Sequence, residues 1–216
     1  AREPDNGVWL RDLSVCHNKL GDVYRSQGKL DKAMAAYRES LALSERLVAT
    51  SRANVLWQRD LSVSRNKMGD ILLSQGSAEE ALQSYTASLE LREQHAEAER
   101  NNPSWQRDLS VCHSKVGDAL RQLGQMGQAR QAYLESLAIV ERLVQINPNN
   151  AAWQRDHWVL CWRIAVISEK VGDAETMQWW QRAYRTLQGM QERGLYISVE
   201  DQGVMGQLAE RVGVTA

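Results

Sequence analysis

With 216 residues, 43% of them hydrophobic, the chain has ample material for a core, and 26 Lys plus Arg against 27 Asp plus Glu leave a formal net charge of −1. That balance supplies no overall field for nucleic acid or an anionic membrane surface. No apolar run approaches the roughly 20 residues of a spanning helix, and an odd count of three cysteines argues against a disulfide framework. The expectation is a soluble, cytoplasmic protein with neither membrane nor nucleic acid among its partners.

One unit organises the chain. Trp57–Asp70, WQRDLSVSRNKMGD, is preceded by Trp9–Asp22 and followed by Trp105–Asp118, and Trp153-Gln-Arg-Asp156 opens a fourth, degraded copy. The tryptophans at 9, 57, 105 and 153 keep a constant step of 48. A fixed period of this size marks a stacked-repeat architecture, because one repeat cannot bury its apolar face without a neighbour.

Residues 1–8 align with residues 145–152, with Asn6, Asn54, Asn102 and Asn150 in register and Pro4 matching Pro148. They read as the tail of a preceding repeat, so the natural protein is expected to extend upstream. In repeat 1, residues 9–56, the apolar stripe Trp9, Leu13, Leu20 and Tyr24 predicts a helix from about Trp9 to Gln27. Gly28 ends it, as Gly76, Gly124 and Gly172 do elsewhere. A second helix from about Leu30 to Ala49 turns Ala33, Tyr37, Leu41 and Leu47 inward, and the short link makes the pair antiparallel.

Glycine in mid-helix at Gly21, Gly69 and Gly117 costs about 1 kcal/mol of helix propensity each. Close packing must offset it, and the small residues Ala33, Ala81 and Ala129 are the expected partners. Repeats 2 (57–104) and 3 (105–152) follow the same plan. Repeat 4 (153–188) is degenerate: His157–Ile167 is apolar on nearly every side, and Trp179 and Trp180 follow. Either the next segment covers it, or Trp158, Trp162 and Trp180 form an exposed contact patch through which the chain forms a homodimer. In the linker and capping segment, 189–216, Ser198–Asp201 reads as an N-cap, and Val204, Leu208 and Val212 as the stripe of a helix sealing the stack.

The spacing His17-x-x-Leu20-Gly21-x-x-Tyr24 followed by Ala33-x-x-x-Tyr37, with Ala81-x-x-x-Tyr85 and Ala129-x-x-x-Tyr133, resembles the tetratricopeptide repeat. That family's unit is about 34 residues, and its closing proline is replaced here by Glu45, Glu93 and Glu141. Both helices are therefore expected to be long, as in kinesin light chains, and WQRDLS is similar to tandem arrays of large bacterial regulatory proteins. The resemblance implies an all-α, right-handed solenoid of antiparallel helix pairs with a C-terminal capping helix.

It also implies a concave peptide-binding groove lined by Asn18, Lys19, Asp22 and Arg25, then Asn66, Lys67 and Asp70, then Ser114, Lys115, Asp118 and Arg121, with Val15, Val63 and Val111 one turn earlier. A column of Asn side chains offers donors and acceptors to an extended backbone. The rival reading makes Lys19 and Asp22 a solvated i,i+3 pair. Asn18 and Asp22 stand where chaperone-binding members of the family carry Lys and Asn, so their carboxylate clamp is absent.

Adjacent Cys16–His17 and Cys112–His113 point about 100° apart on a helix and do not converge on one atom. With no HExxH, P-loop, GxSxG or CxxC pattern, no enzyme activity, metal or cofactor is expected. The recurring pairs Arg11-Asp12, Arg59-Asp60, Arg107-Asp108 and Arg155-Asp156 are assigned a structural task, an Arg of one repeat bonding to the next. The resulting function is a protein–protein interaction scaffold that takes an extended or helical segment of a partner protein, or of an effector domain in the same polypeptide, in its groove. The alternative is a sensor, regulatory or spacer arm of a larger multidomain bacterial signalling protein with no separate ligand.

Overall fold

A computed structural model describes residues 6–214; residues 1–5, part of the stretch read as a preceding repeat's tail, lie outside the described residues. Among those described there are nine α-helices and no strand: α1 (Gly7–Ser26), α2 (Leu30–Thr50), α3 (Val55–Ser74), α4 (Ala78–Ala98), α5 (Pro103–Gln122), α6 (Met126–Ile146), α7 (Ala151–Val171), α8 (Thr176–Glu192) and α9 (Val199–Arg211).

The asparagines in register are N-caps. Asn54 and Asn150 accept from the backbone N–H of Trp57 and Trp153 at 3.2 and 3.1 Å, Asn102 from Ser104 at 3.1 Å and Asn6 from Val8 at 3.0 Å. Each satisfies a donor that the first helical turn leaves open. The first helix of each repeat ends at a glycine with positive φ, between 70° and 86° at Gly28, Gly76, Gly124 and Gly172. This left-handed turn lets Lys29 N–H reach the Tyr24 carbonyl at 2.9 Å and sends the chain back antiparallel.

The helices form two compact units, α1–α4 and α5–α9. In the first, α1 packs on α2, α2 on α3 and α3 on α4; in the second, α5 to α9 pack in the same serial way. The signature residues hold this arrangement together. Gln154 donates to the Pro148 carbonyl at 2.8 Å and Gln58 to that of Arg52, each tying a loop to the helix it precedes. The Arg–Asp pairs bridge successive repeats: Arg11 to Asp60 at 2.5 Å and Arg107 to Asp156 at 2.7 Å. Arg155 reaches Asp201 of α9 at 2.6 Å, so α9 presents the carboxylate that a next repeat would bring. The signature serines are buried. Ser14 donates to the Ser40 carbonyl at 3.1 Å, while Ser88 and Ser136 of the second helices donate to Ser62 and Ser110 carbonyls at 2.9 and 2.8 Å.

Two expectations need correction. The partner of the mid-helix glycines is a tyrosine ring, not the alanine: a Cβ on Gly21, Gly69 or Gly117 would stand 2.4–2.5 Å from the ring of Tyr37, Tyr85 or Tyr133. The tyrosine lies one turn beyond the alanine and lays its ring across the glycine backbone. Nor is there a tryptophan patch. Trp158 and Trp180 are 4% and 3% exposed, and of these three only Trp162 reaches solvent. On α9, Leu208 is buried, Ser198 caps Asp201 N–H at 3.1 Å and Arg211 stacks on the Trp180 ring at 4.6 Å.

Candidate functional site

The predicted groove residues lie on the first helix of each repeat, and the structure shows what most of them touch. In the first unit the Asp22 carboxylate accepts from the Tyr37 hydroxyl at 2.7 Å and from Lys67 of α3 at 2.6 Å. Partial burial pushes this carboxyl up, but the bonds from Lys67 and Tyr37 and the charges of Lys67 and Arg25 outweigh it, leaving the pKa below its usual value. Tyr85 donates in the same way to Asp70 at 2.7 Å, and Arg25 approaches Asp70 at 3.7 Å. The ladder is therefore bonded across repeats in both directions, Asp22 with Lys67 of the next repeat and Asp70 with Arg25 of the one before. Lys19 and Asp22 do not form the self-neutralising pair of the rival reading, because Asp22 is taken by Lys67.

Asn18 is not on the groove surface. It is buried and its amide donates to the Ser64 hydroxyl at 3.1 Å, within a cluster where Ser64 also meets Ser40 at 3.0 Å and Ser44 at 3.2 Å. Those hydroxyls come from α2 and α3, so they draw the amide into the helix interface. Lys19, Arg25 and Arg121 are exposed, whereas Asn66, Lys67 and Asp70 are half-buried.

In the second unit Ser114, Lys115 and Asp118 come together. With Val111 on α5, and Asp156, Val159 and Arg163 on α7, they line an open cleft. Tyr133 donates to Asp118 at 2.7 Å, and Arg163 bonds both Asp118, at 3.1 Å, and the Ser114 hydroxyl. Arg163 and Val159 were missed as site residues because repeat 4 reads as degraded. The signal was present: they stand 48 residues after Lys115 and Val111, so the basic and valine columns continue where the aromatic ones break off.

No group of three His, Cys, Asp or Glu converges as a metal site among the described residues. His113 faces Glu135 at 3.1 Å. Cys112 and Cys161 are buried, and burial pushes the Cys161 thiol up to about 12, which leaves it protonated and inert. No described helix is long and apolar enough to cross a membrane.

Residues 14–47 and residues 63–95 each match the tetratricopeptide repeat family. No curated protein matches the chain. Among solved structures the chain is similar to BtubC (BKLC) from P. vanneervenii, with a TM-score of 0.70 and 15% identity over 96% of this chain and 73% of that one. It is also similar to the apo form of RapI, with a TM-score of 0.66 and 11% identity over 98% and 71% of the two chains. At these identities the likeness concerns fold, which is the α-solenoid of helical-repeat proteins.

Proposed function

Because the chain belongs to the tetratricopeptide-repeat family, and such repeats are protein–protein interaction scaffolds, we propose that its binding site is the cleft between α5 and α7 and that the occupant is an extended segment of a partner protein. The observation that carries this reading is the lining itself. Val111 and Val159 give an apolar floor, and Lys115, Arg155 and Arg163 against Asp118 and Asp156 give walls of both signs with one cation in excess. Arg163 is bonded to Asp118 and Ser114 within the cleft, while Arg155 and Asp156 are held by Asp201 and Arg107 beside it, so an incoming chain meets side chains held in place rather than ones it must order. Backbone amides of the segment find acceptors in Asp118 and Asp156, and the excess positive charge favours an acidic side chain over a basic one.

The test is binding of an array of extended peptides, acidic, neutral and basic, to the wild-type chain and to Val111→Asp and Lys115→Glu variants. Acidic peptides are expected to bind best and both variants to lose them, with Lys115→Glu shifting preference toward basic ones. Equal binding by all three proteins would sink the reading.

A further inference from the structure

Arg155 belongs to two structures at once. It lines the cleft between α5 and α7, and its guanidinium grips α9: Nε and Nη2 donate to the two carboxylate oxygens of Asp201 at 2.6 and 3.1 Å. The remaining nitrogen, Nη1, carries further N–H donors, and among the described residues it makes no bond. The pair is also lopsided in exposure, with the Arg155 side chain 50% open and that of Asp201 only 5%. A ligand that drew Arg155 away from α9 would leave a buried carboxylate without its cation, a strongly unfavourable state. The edge within a ligand's reach is therefore Nη1, with Asp201 staying in place. A ligand acid and Asp201 then stand on opposite edges of one planar, delocalised cation, each facing positive charge rather than the other acid.

The element that delivers Asp201 differs from those that deliver the equivalent acids. Asp60 and Asp156 lie 49 residues after Arg11 and Arg107, inside helices of 20 and 21 residues. The same step from Arg155 falls on Val204. Asp201 comes 46 residues on instead, in a helix of 13 residues reached through the extended linker 195–198. Gly203 and Gly206 weaken that helix, and a Cβ on either would meet nothing within 4 Å, so no close packing like that over Gly21 offsets them. A helix so short is marginal in water by itself. Its anchors are the Arg155–Asp201 bonds at one end, the Arg211–Glu169 bonds at 2.9 and 3.1 Å at the other, and buried Leu208 between them.

We propose that Asp201 is a positioning residue for the cleft, holding Arg155 so that Nη1 meets an acidic side chain of the bound segment, and that docking of α9 and occupancy of the cleft strengthen each other. The coupling rests on the reading of the cleft between α5 and α7 as the binding site. A half-exposed arginine free to move must be ordered by the ligand, whereas one already forked on Asp201 need not be. Coupling between two sites is reciprocal, so a bound segment that fixes Arg155 also steadies α9.

The test measures binding of an extended acidic peptide of alternating Glu and Val to the full chain. Asp201→Asn is expected to weaken it about fivefold or more, the low end of usual coupling between sites. Charge counting alone predicts the opposite, since one acid fewer stands beside the cleft. Glu200→Gln removes an exposed acid from the same turn and should stay within about twofold. Arg155→Ala should weaken binding too, and Asp201→Asn added to it should cost nothing more. Leu208→Ala loosens α9 without touching charge and should weaken binding only while Arg155 is present. In the reciprocal measurement, saturating peptide should slow hydrogen exchange of the α9 amides in the wild type and leave it unchanged in Arg155→Ala. Unchanged or tighter binding by Asp201→Asn, or faster α9 exchange with peptide bound, overturns the proposal. If the wild type binds no acidic peptide, the cleft reading fails and the coupling with it. If binding is lost in Lys115→Glu yet indifferent to Asp201→Asn, the coupling alone fails.

Discussion

The first helices of repeats 1 and 2 carry nearly the same sequence, and their apolar faces end in opposite environments. Leu13 is open and Leu61 buried; Leu20 is open and Met68 buried; Val23 is open and Ile71 fully enclosed. Within each repeat the two are alike: Tyr37 and Tyr85 lie on Gly21 and Gly69 and donate to Asp22 and Asp70 at the same 2.7 Å. The comparison separates what a repeat builds for itself from what a neighbour completes. The tyrosine–glycine–aspartate contact is internal, whereas burial of the stripe is conferred from outside.

The largest test of that separation is a pair of truncations. Ile71→Ala should cost about 2–4 kcal/mol, the usual range for emptying a closed aliphatic site, while Val23→Ala should stay within roughly 0.5 kcal/mol; urea melts of the two variants decide it. The same position extends the comparison to α7, where His157 stands 144 residues after Leu13 and is mostly buried. Burial first, and then the charge of Arg182, pull its pKa down to about 4. The unfolded histidine titrates near 6.5, so between pH 6.5 and about 4 the unfolded chain binds a proton that the folded one refuses. Stability is thus full above pH 6.5 and falls as the pH is lowered to about 4, by on the order of 3 kcal/mol. His157→Leu should flatten that limb of the melting curve.

An internal contact should ignore position along the chain. Gly21→Val and Gly69→Val each drive a methyl-bearing carbon into a tyrosine ring, and both are expected to lose roughly 1–3 kcal/mol, measured as similar drops in melting temperature. A large loss at Gly69 with none at Gly21 would break the symmetry claimed here. The smallest effect is the partly exposed rung between repeats: Asp22→Asn should cost less than about 1 kcal/mol. Because the Asp22 pKa is lowered on folding, its contribution is present above the unfolded value near 3.9 and is lost as the pH falls below it. The acid limb of Asp22→Asn should therefore be shallower than that of the wild type.

Much of this was legible from spacing. The 48-residue step places every repeat, the glycines after the first helices mark the turns, and the Arg–Asp pairs announce a bond between repeats. Spacing alone did not say which way side chains turn. Gly21 called for a close neighbour, but whether Ala33 or Tyr37 supplies it depends on the approach of two helices. Asn18 resembles a groove residue in sequence and is buried because hydroxyls from α2 and α3 converge on it. The asparagines before each tryptophan were seen as register marks, although asparagine ahead of an apolar periodic run is also the signal of an N-cap. Arg163 was obscured by the altered aromatics around it while keeping its place in the period.

The most direct check on the account compares one thiol position in two repeats. Cys16 and Ser64 occupy the same register, and Cys112 shows that a cysteine fits there in a buried setting. In a Ser64→Cys, Cys16→Ser variant, labelling by a disulfide reagent should be at least a hundredfold slower than that of Cys16 in the parent chain. Equal rates at the two positions would mean that α2 does not close the face of α3, and the contrast between the repeats would be contradicted.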